Sequence, residues 1–215
     1  MLPAPPDGLS LPDGVESRIL AAYGESQRAY HDVSHLLDVL ARFAEVQAEG
    51  LWRQPREVFC ALLFHDAVYE PGAHDNELRS AVLARDTLVT STIDIDRVEH
   101  LIALTARHGQ LSPNDVDAEA ALFVDCDMAI LGAPADVFDR YERGVAKEYS
   151  ALAPEVYVAG RLRFVERLLS EERIFLSDRF HLRFDAAARA NLRRSRDSLA
   201  GGEESGAGVV LAHGT

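Results

Sequence analysis

The sequence predicts an all-α fold, a single bundle of about eight to ten helices. Three observations carry this expectation. Apolar residues recur at helical spacing in one segment after another. The connections between those segments are short, and no run finds an obvious partner as a strand. The chain has 215 residues, 47% of them hydrophobic, enough for one sizeable core. Residues 1–200 are read as one domain. The last fifteen, 201–215, GGEESGAGVVLAHGT, have loop composition and are read as a flexible tail.

The elements follow in order. Residues up to about Gly14 are rich in proline and glycine and are read as irregular. LLDVLARFAEVQ places Leu36, Leu40, Phe43 and Val46 on one helical face. PREVFCALLFHD opens on a proline suited to a first helical turn. NELRSAVLARDTL, DRVEHLIALTARHG, DAEAALFVDCDMAIL, DVFDRYERGVAKEY, VAGRLRFVERLL and AAARANLRRSRDSL complete the set. Gly109 and Gly132 stand where helix-terminating glycines are expected. TLVTSTIDI has strand-like composition, but nothing would pair with it.

Charge and cysteines narrow the function classes. The formal net charge is −13, which disfavours nucleic acid or an anionic membrane as partner. The same charge repels phosphorylated substrates unless a metal or a local basic cluster reverses the field. Cys60 and Cys126 lie in apolar runs and are read as buried free thiols. No apolar segment approaches the ~20 residues of a membrane span. MLPAPPDGLS lacks the features of a secretory signal, so a cytoplasmic protein is expected.

The chemistry lies in histidines and aspartates. His31 and His35 sit in YHDVSH, four apart, and share a helix face if the helix includes both. His65 and Asp66 end the apolar run VFCALLFHD. His100 and His108 lie in EHLIALTARHG, and Asp125 and Asp127 in FVDCDMAILG. Imidazole and carboxylate together suit divalent first-row metals. Adjacent helix residues point about 100° apart, so His65 and Asp66 share an ion only with ligands arriving from other helices. Alone, the dipeptide reads as a capping histidine beside a solvated acid. GxxxxGK, GxSxG and HExxH motifs are absent, as is the paired ExxH pattern of di-iron bundles.

The whole set is more specific. YHDVSH, FHDAVYEP with DNELRSA, LIALTARH, FVDCDMAILG, KEY, GRLRFV and ARANL run from about Tyr30 to Leu192. In these words the chain resembles the HD-domain superfamily of metal-dependent phosphohydrolases. The likeness is to its stand-alone bacterial subgroup. It implies a single HD-type helical domain in which His35, His65, Asp66 and Asp127 hold a divalent ion: manganese, iron, cobalt, nickel, magnesium or zinc. His35 is preferred to His31, and Asp127 to Asp125, with His31 and Asp125 as partners that orient the ligands. One ion is favoured over two, with His108 in the pocket as a substrate contact.

The implied activity is hydrolysis of a phosphomonoester or phosphodiester, with a small phosphorylated molecule, a nucleotide, as partner. A metal-activated water attacks phosphorus. Asp66 is a ligand and a possible proton acceptor. Glu70 is a possible general base or a solvated loop acid. Asp75 of the DNE word is read as a helix N-cap. Cations for the phosphate are sought among Arg107, Lys147, Arg161 and Arg189, with Arg161 foremost because Gly160 before it permits close backbone approach. Two rival readings are a di-iron HD-type oxygenase and a non-catalytic nucleotide-binding sensor.

Overall fold

The computed structural model describes residues 2–89 and 92–206. Among them the fold is all-α, with nine α-helices, one short 3-10 helix and no strand. The helices are α1 (Val15–Tyr23), α2 (Val33–Ala48), α3 (Pro55–Phe64), α4 (Asn76–Leu88) and α5 (Ile95–Thr105). Then come α6 (Ala118–Met128), the 3-10 turn Ala129–Gly132, α7 (Ala135–Glu148), α8 (Pro154–Ser170) and α9 (Asp178–Gly206).

Two helices are buried on every side. In α3 each residue from Val58 to Phe64 is buried, and α6 buries Ala120 to Cys126. A helix apolar all round belongs inside. α2, α4 and α5 flank this pair: α3 packs on all three, and α6 on α2 and α5. Cys60 and Cys126 are buried free thiols, one in each central helix.

Aspartates start three helices. Asp32 accepts Ser34 N–H at 2.7 Å and His35 N–H at 3.3 Å, Asp94 accepts Arg97 N–H, and Asp117 accepts Ala120 N–H. Asp32 therefore begins α2 one residue after His31, and the shared helix face expected for His31 and His35 does not form. Asp75 stands at the start of α4, yet its side chain makes no capping bond and lies 3.7 Å from Arg79 instead. Buried glutamates hold the loops that precede other helices. Glu119 Oε1 accepts Arg53 and Gln54 N–H, both at 2.7 Å, just before α3. Glu57 accepts Asp94 N–H just before α5.

Several elements differ from expectation. α1 was not anticipated; it is short and buries only Val15, Ile19 and Tyr23. α9 begins at Asp178 rather than near Ala186, because Phe180, Phe184, Ala188 and Leu192 make a buried stripe at four-residue spacing. α9 continues to Gly206, into the segment read as a tail; residues 207–215 lie outside the described residues. Within TLVTSTIDI, Thr87 and Leu88 end α4 and Ile95 starts α5, while residues 90 and 91 lie outside the described residues. Gly109 has φ +70°, as a turn after a helix requires. Gly132 is needed for packing instead: a Cβ there would fall 2.6 Å from Phe184 Cβ.

Asp125 ties α9 to the core. Its Oδ1 accepts Leu176 N–H at 2.8 Å; its Oδ2 accepts Ser177 N–H at 2.7 Å and the Ser177 hydroxyl. Burial pushes its carboxyl up to about 6, against the pull of those donors. Two residues along α6 means about 200° of rotation from Asp127, so Asp125 faces α9. The expected role in orienting a ligand is corrected to this anchoring role. Asp125→Ala orphans three buried donors and should destabilise the fold by about 2–4 kcal/mol in urea denaturation.

Candidate metal centre

The two buried helices deliver their C-terminal ends to one place. His65 and Asp66 follow α3, Asp127 closes α6, and His35 comes from the first turn of α2. His35 Nε2 and His65 Nε2 are 3.1 Å apart. Asp127 Oδ1 lies 3.3 Å from the first and 3.7 Å from the second. These three residues offer one donor atom each within 4.8 Å of one another and could hold a metal ion. Asp66 is not part of that compact three, yet its Oδ2 is 3.5 Å from His35 Nε2 and 3.3 Å from His65 Nε2.

These separations fit a coordination shell. Ligands about 2.1 Å from an ion stand about 3.0 Å apart at a right angle and about 3.4 Å apart at a tetrahedral one. The His65 tautomer fits as well. Its Nδ1 lies 2.8 Å from the Leu62 carbonyl oxygen, which can only accept, so Nδ1 carries the proton. The neutral ring then turns the Nε2 lone pair towards His35 and Asp127, as a ligand requires.

Without an ion, protons fill the gap. Burial disfavours charge on His35, but hydrogen bonds to Asp127 and Asp66 outweigh it and raise its pKa from 6.5 to about 9. His65 is likewise raised: burial opposes, and the Asp66 and Asp127 charges prevail. Burial pushes both carboxyls up, yet the neighbouring imidazoles hold Asp66 and Asp127 well below the usual carboxylate range.

A second tier of residues, absent from the sequence reading, fixes this geometry. Arg28 is buried and donates to the carbonyls of Asp66 (2.7 Å), Ala67 (3.2 Å) and His31 (3.0 Å). It satisfies carbonyls freed at the end of α3. The Tyr23 hydroxyl accepts Asp66 N–H at 3.2 Å. Glu148 gathers the segment before α2: Oε1 accepts the N–H groups of Ala29, Tyr30 and His31, while Oε2 accepts from His31 Nδ1 (2.7 Å) and the Tyr69 hydroxyl (2.9 Å). Burial raises the Glu148 carboxyl, but the bond from His31 and the backbone donors bring it down to about 2. Its signal in the sequence was the word KEY, in which Lys147 drew attention instead.

The structure sorts the remaining expected residues. His108 Nε2 donates to Asp127 Oδ2 at 2.7 Å, and its buried Nδ1 has no partner. His108 thus braces a ligand carboxylate as well as lining the cleft beside the cluster. His31 does not hold a ligand imidazole; its Nδ1 goes to Glu148, and its ring lines the cleft. Of the two readings of Glu70, its position is that of an exposed loop acid, paired with Arg79 at 3.1 Å. Lys147 is exposed on the last turn of α7, while Glu148 beside it points inwards. Arg161 does line the cleft, but its guanidinium is bonded to Glu142 and to the Tyr141 hydroxyl (2.7 Å). Gly160 serves no close backbone approach; a Cβ there would meet only Arg163 Nη2, at 3.8 Å. Arg189 caps the end of α8 through the carbonyls of Glu171 and Glu172. Arg107 and His100 are exposed, and neither lines the cleft.

The cleft measures about 490 Å³. Asp66, Asp127, His31 and His108 line it with Tyr30, Tyr69 and Tyr141, and α8 contributes Arg161, Arg163 and Arg167. Compared with known proteins, the chain matches no family model, no curated protein and no solved structure.

The proton on His35 competes with any ion. In the metal-free chain its raised pKa stabilises the fold fully below pH 6.5, and that contribution is lost as pH rises through about 9. Metal affinity should therefore climb across the same window, about tenfold per pH unit for each proton displaced. Calorimetric titration with Mn²⁺ or Zn²⁺ at about pH 6.5, 7.5 and 8.5 checks this.

Proposed function

We propose that this chain is an HD-type, metal-dependent phosphohydrolase acting on a small phosphorylated molecule, a nucleotide. The observation that carries the reading is the meeting of His35, His65, Asp66 and Asp127 at ligand-to-ligand distances beside a cleft with arginines on another wall. The HD resemblance of the sequence words around these residues supports it independently.

On this reading His35, His65 and Asp127 hold the ion and Asp66 completes the set. When bound, a divalent ion there supplies Lewis acidity to water and to phosphoryl oxygens. Asp66 Oδ2 contacts both imidazoles, while its other oxygen makes no bond among the described residues and is available to accept a proton in the cleft. His108 keeps the Asp127 carboxylate from turning, and Arg28 fixes the backbone that carries Asp66. Arg163 and Arg167 line the cleft without an acidic partner among the described residues and offer planar donors to phosphate. This basic wall answers the objection raised by a net charge of −13. One compact donor group among the described residues and the exposed position of His100 favour one ion over two.

Metal analysis of purified protein, joined to assays on a nucleotide panel with each candidate metal, tests the reading. His65→Ala should lose the bound ion and lower turnover by about a thousandfold or more. Full activity in that variant would refute the reading. Glu70→Gln should keep turnover within about twofold, because its carboxylate stays on the surface with Arg79.

A further inference from the structure

The cleft does not end at its arginine wall. Beyond Arg161 and Arg163 it opens into an annex of about 520 Å³. Cleft and annex share Ala73, Val145, Tyr149, Gly160 and Phe164 besides those two arginines.

The annex differs chemically from the cleft. Asp66, Glu77 and Asp127 line the cleft, but no acid lines the annex, in a chain with a surplus of thirteen negative charges. Its walls are Tyr149, Leu152, Val156, Tyr157 and Phe164, with the guanidinium of Arg163 at the junction. Leu152 and Val156 are among the exposed large hydrophobic residues, at 38% and 54%. Apolar groups left open to water at the edge of a polar cleft are the usual lining of a ligand site. The rings of Tyr149 and Tyr157 stand 5.9 Å apart, and Arg161 already covers one face of Phe164.

We infer that the annex is the subsite for the flat aromatic end of the substrate, with Arg163 and Arg167 holding phosphate between it and the His–Asp cluster. The edges of Tyr149, Tyr157 and Phe164 suit a nucleobase, which stacks on aromatic rings. A sugar phosphate without a base would leave Leu152 and Val156 wet. A flexible alkyl chain would not stack on the tyrosine rings. The substrate class is therefore a nucleoside phosphate, and this inference rests on the phosphohydrolase reading of the adjoining cleft.

The test separates the two. Adenosine, AMP, ribose 5-phosphate, hexyl phosphate and inorganic phosphate are titrated calorimetrically into wild type, His65→Ala and the double variant Leu152→Ser/Val156→Ser. The two serine positions are solvent-exposed, so the fold tolerates them. Adenosine should bind wild type and His65→Ala alike, and the serine variant roughly tenfold more weakly. Inorganic phosphate affinity should stay within about twofold in the serine variant. Adenosine binding by a wild type that hydrolyses no nucleotide of the panel would sink the phosphohydrolase reading and leave the subsite standing. Failure of adenosine to bind, an unchanged affinity in the serine variant, or tighter binding of hexyl phosphate than of AMP by His65→Ala, where neither is turned over, would overturn the subsite.

Discussion

Two imidazole nitrogens 3.1 Å apart, with carboxylate oxygens at 3.3–3.7 Å, need positive charge between them. Two carboxylates bring two negative charges into a buried place. Protons held on the imidazoles, whose pKa values are raised here, or a divalent ion in their place supplies that charge. Isolated, any of these groups would be expensive to bury. Together they are tolerable only while all four side chains stay in register, and much of the fold serves that requirement.

The supports are themselves polar and buried. α3 has no solvent-facing stripe, so its end can be placed only by what surrounds it. Glu119 catches the amides at its start, and Arg28, Tyr23 and the Leu62 carbonyl fix the turn at its end. Glu148 joins the end of α7 to the three residues before Asp32, and so to the first turn of α2, where His35 sits. Gly144 permits this approach, since a Cβ there would fall 2.9 Å from the Ala29 carbonyl oxygen. A rotation of any one helix would pull at least one donor out of the cluster.

The candidate ligand residues were legible because their chemistry is unusual in apolar surroundings. A histidine and an aspartate at the end of VFCALLF invite a question that a surface pair does not. The periodic helices were legible for the ordinary reason that one face of each is apolar. The supports were not legible. Arg28, Glu119 and Glu148 act through backbone groups far away in sequence, and nothing local marks a charged residue as buried. Asp125 misled because it lies two residues from Asp127, and only the helix rotation separates their directions. His31 misled because the spacing of four presumes a continuous helix, whereas Asp32 starts a new one. Glu70 and Lys147 were attractive by type and adjacency, but each lies on an exposed turn.

The cluster as a metal site is tested most directly by X-ray absorption at the metal edge of protein loaded with one equivalent of Mn²⁺ or Zn²⁺. The account predicts two imidazole nitrogens and carboxylate oxygen at about 2.0–2.2 Å, with the outer scattering of histidine rings. The imidazole signal should disappear together with the bound ion in His35→Ala. An all-oxygen shell without ring scattering, or a spectrum unchanged by that substitution, would contradict it.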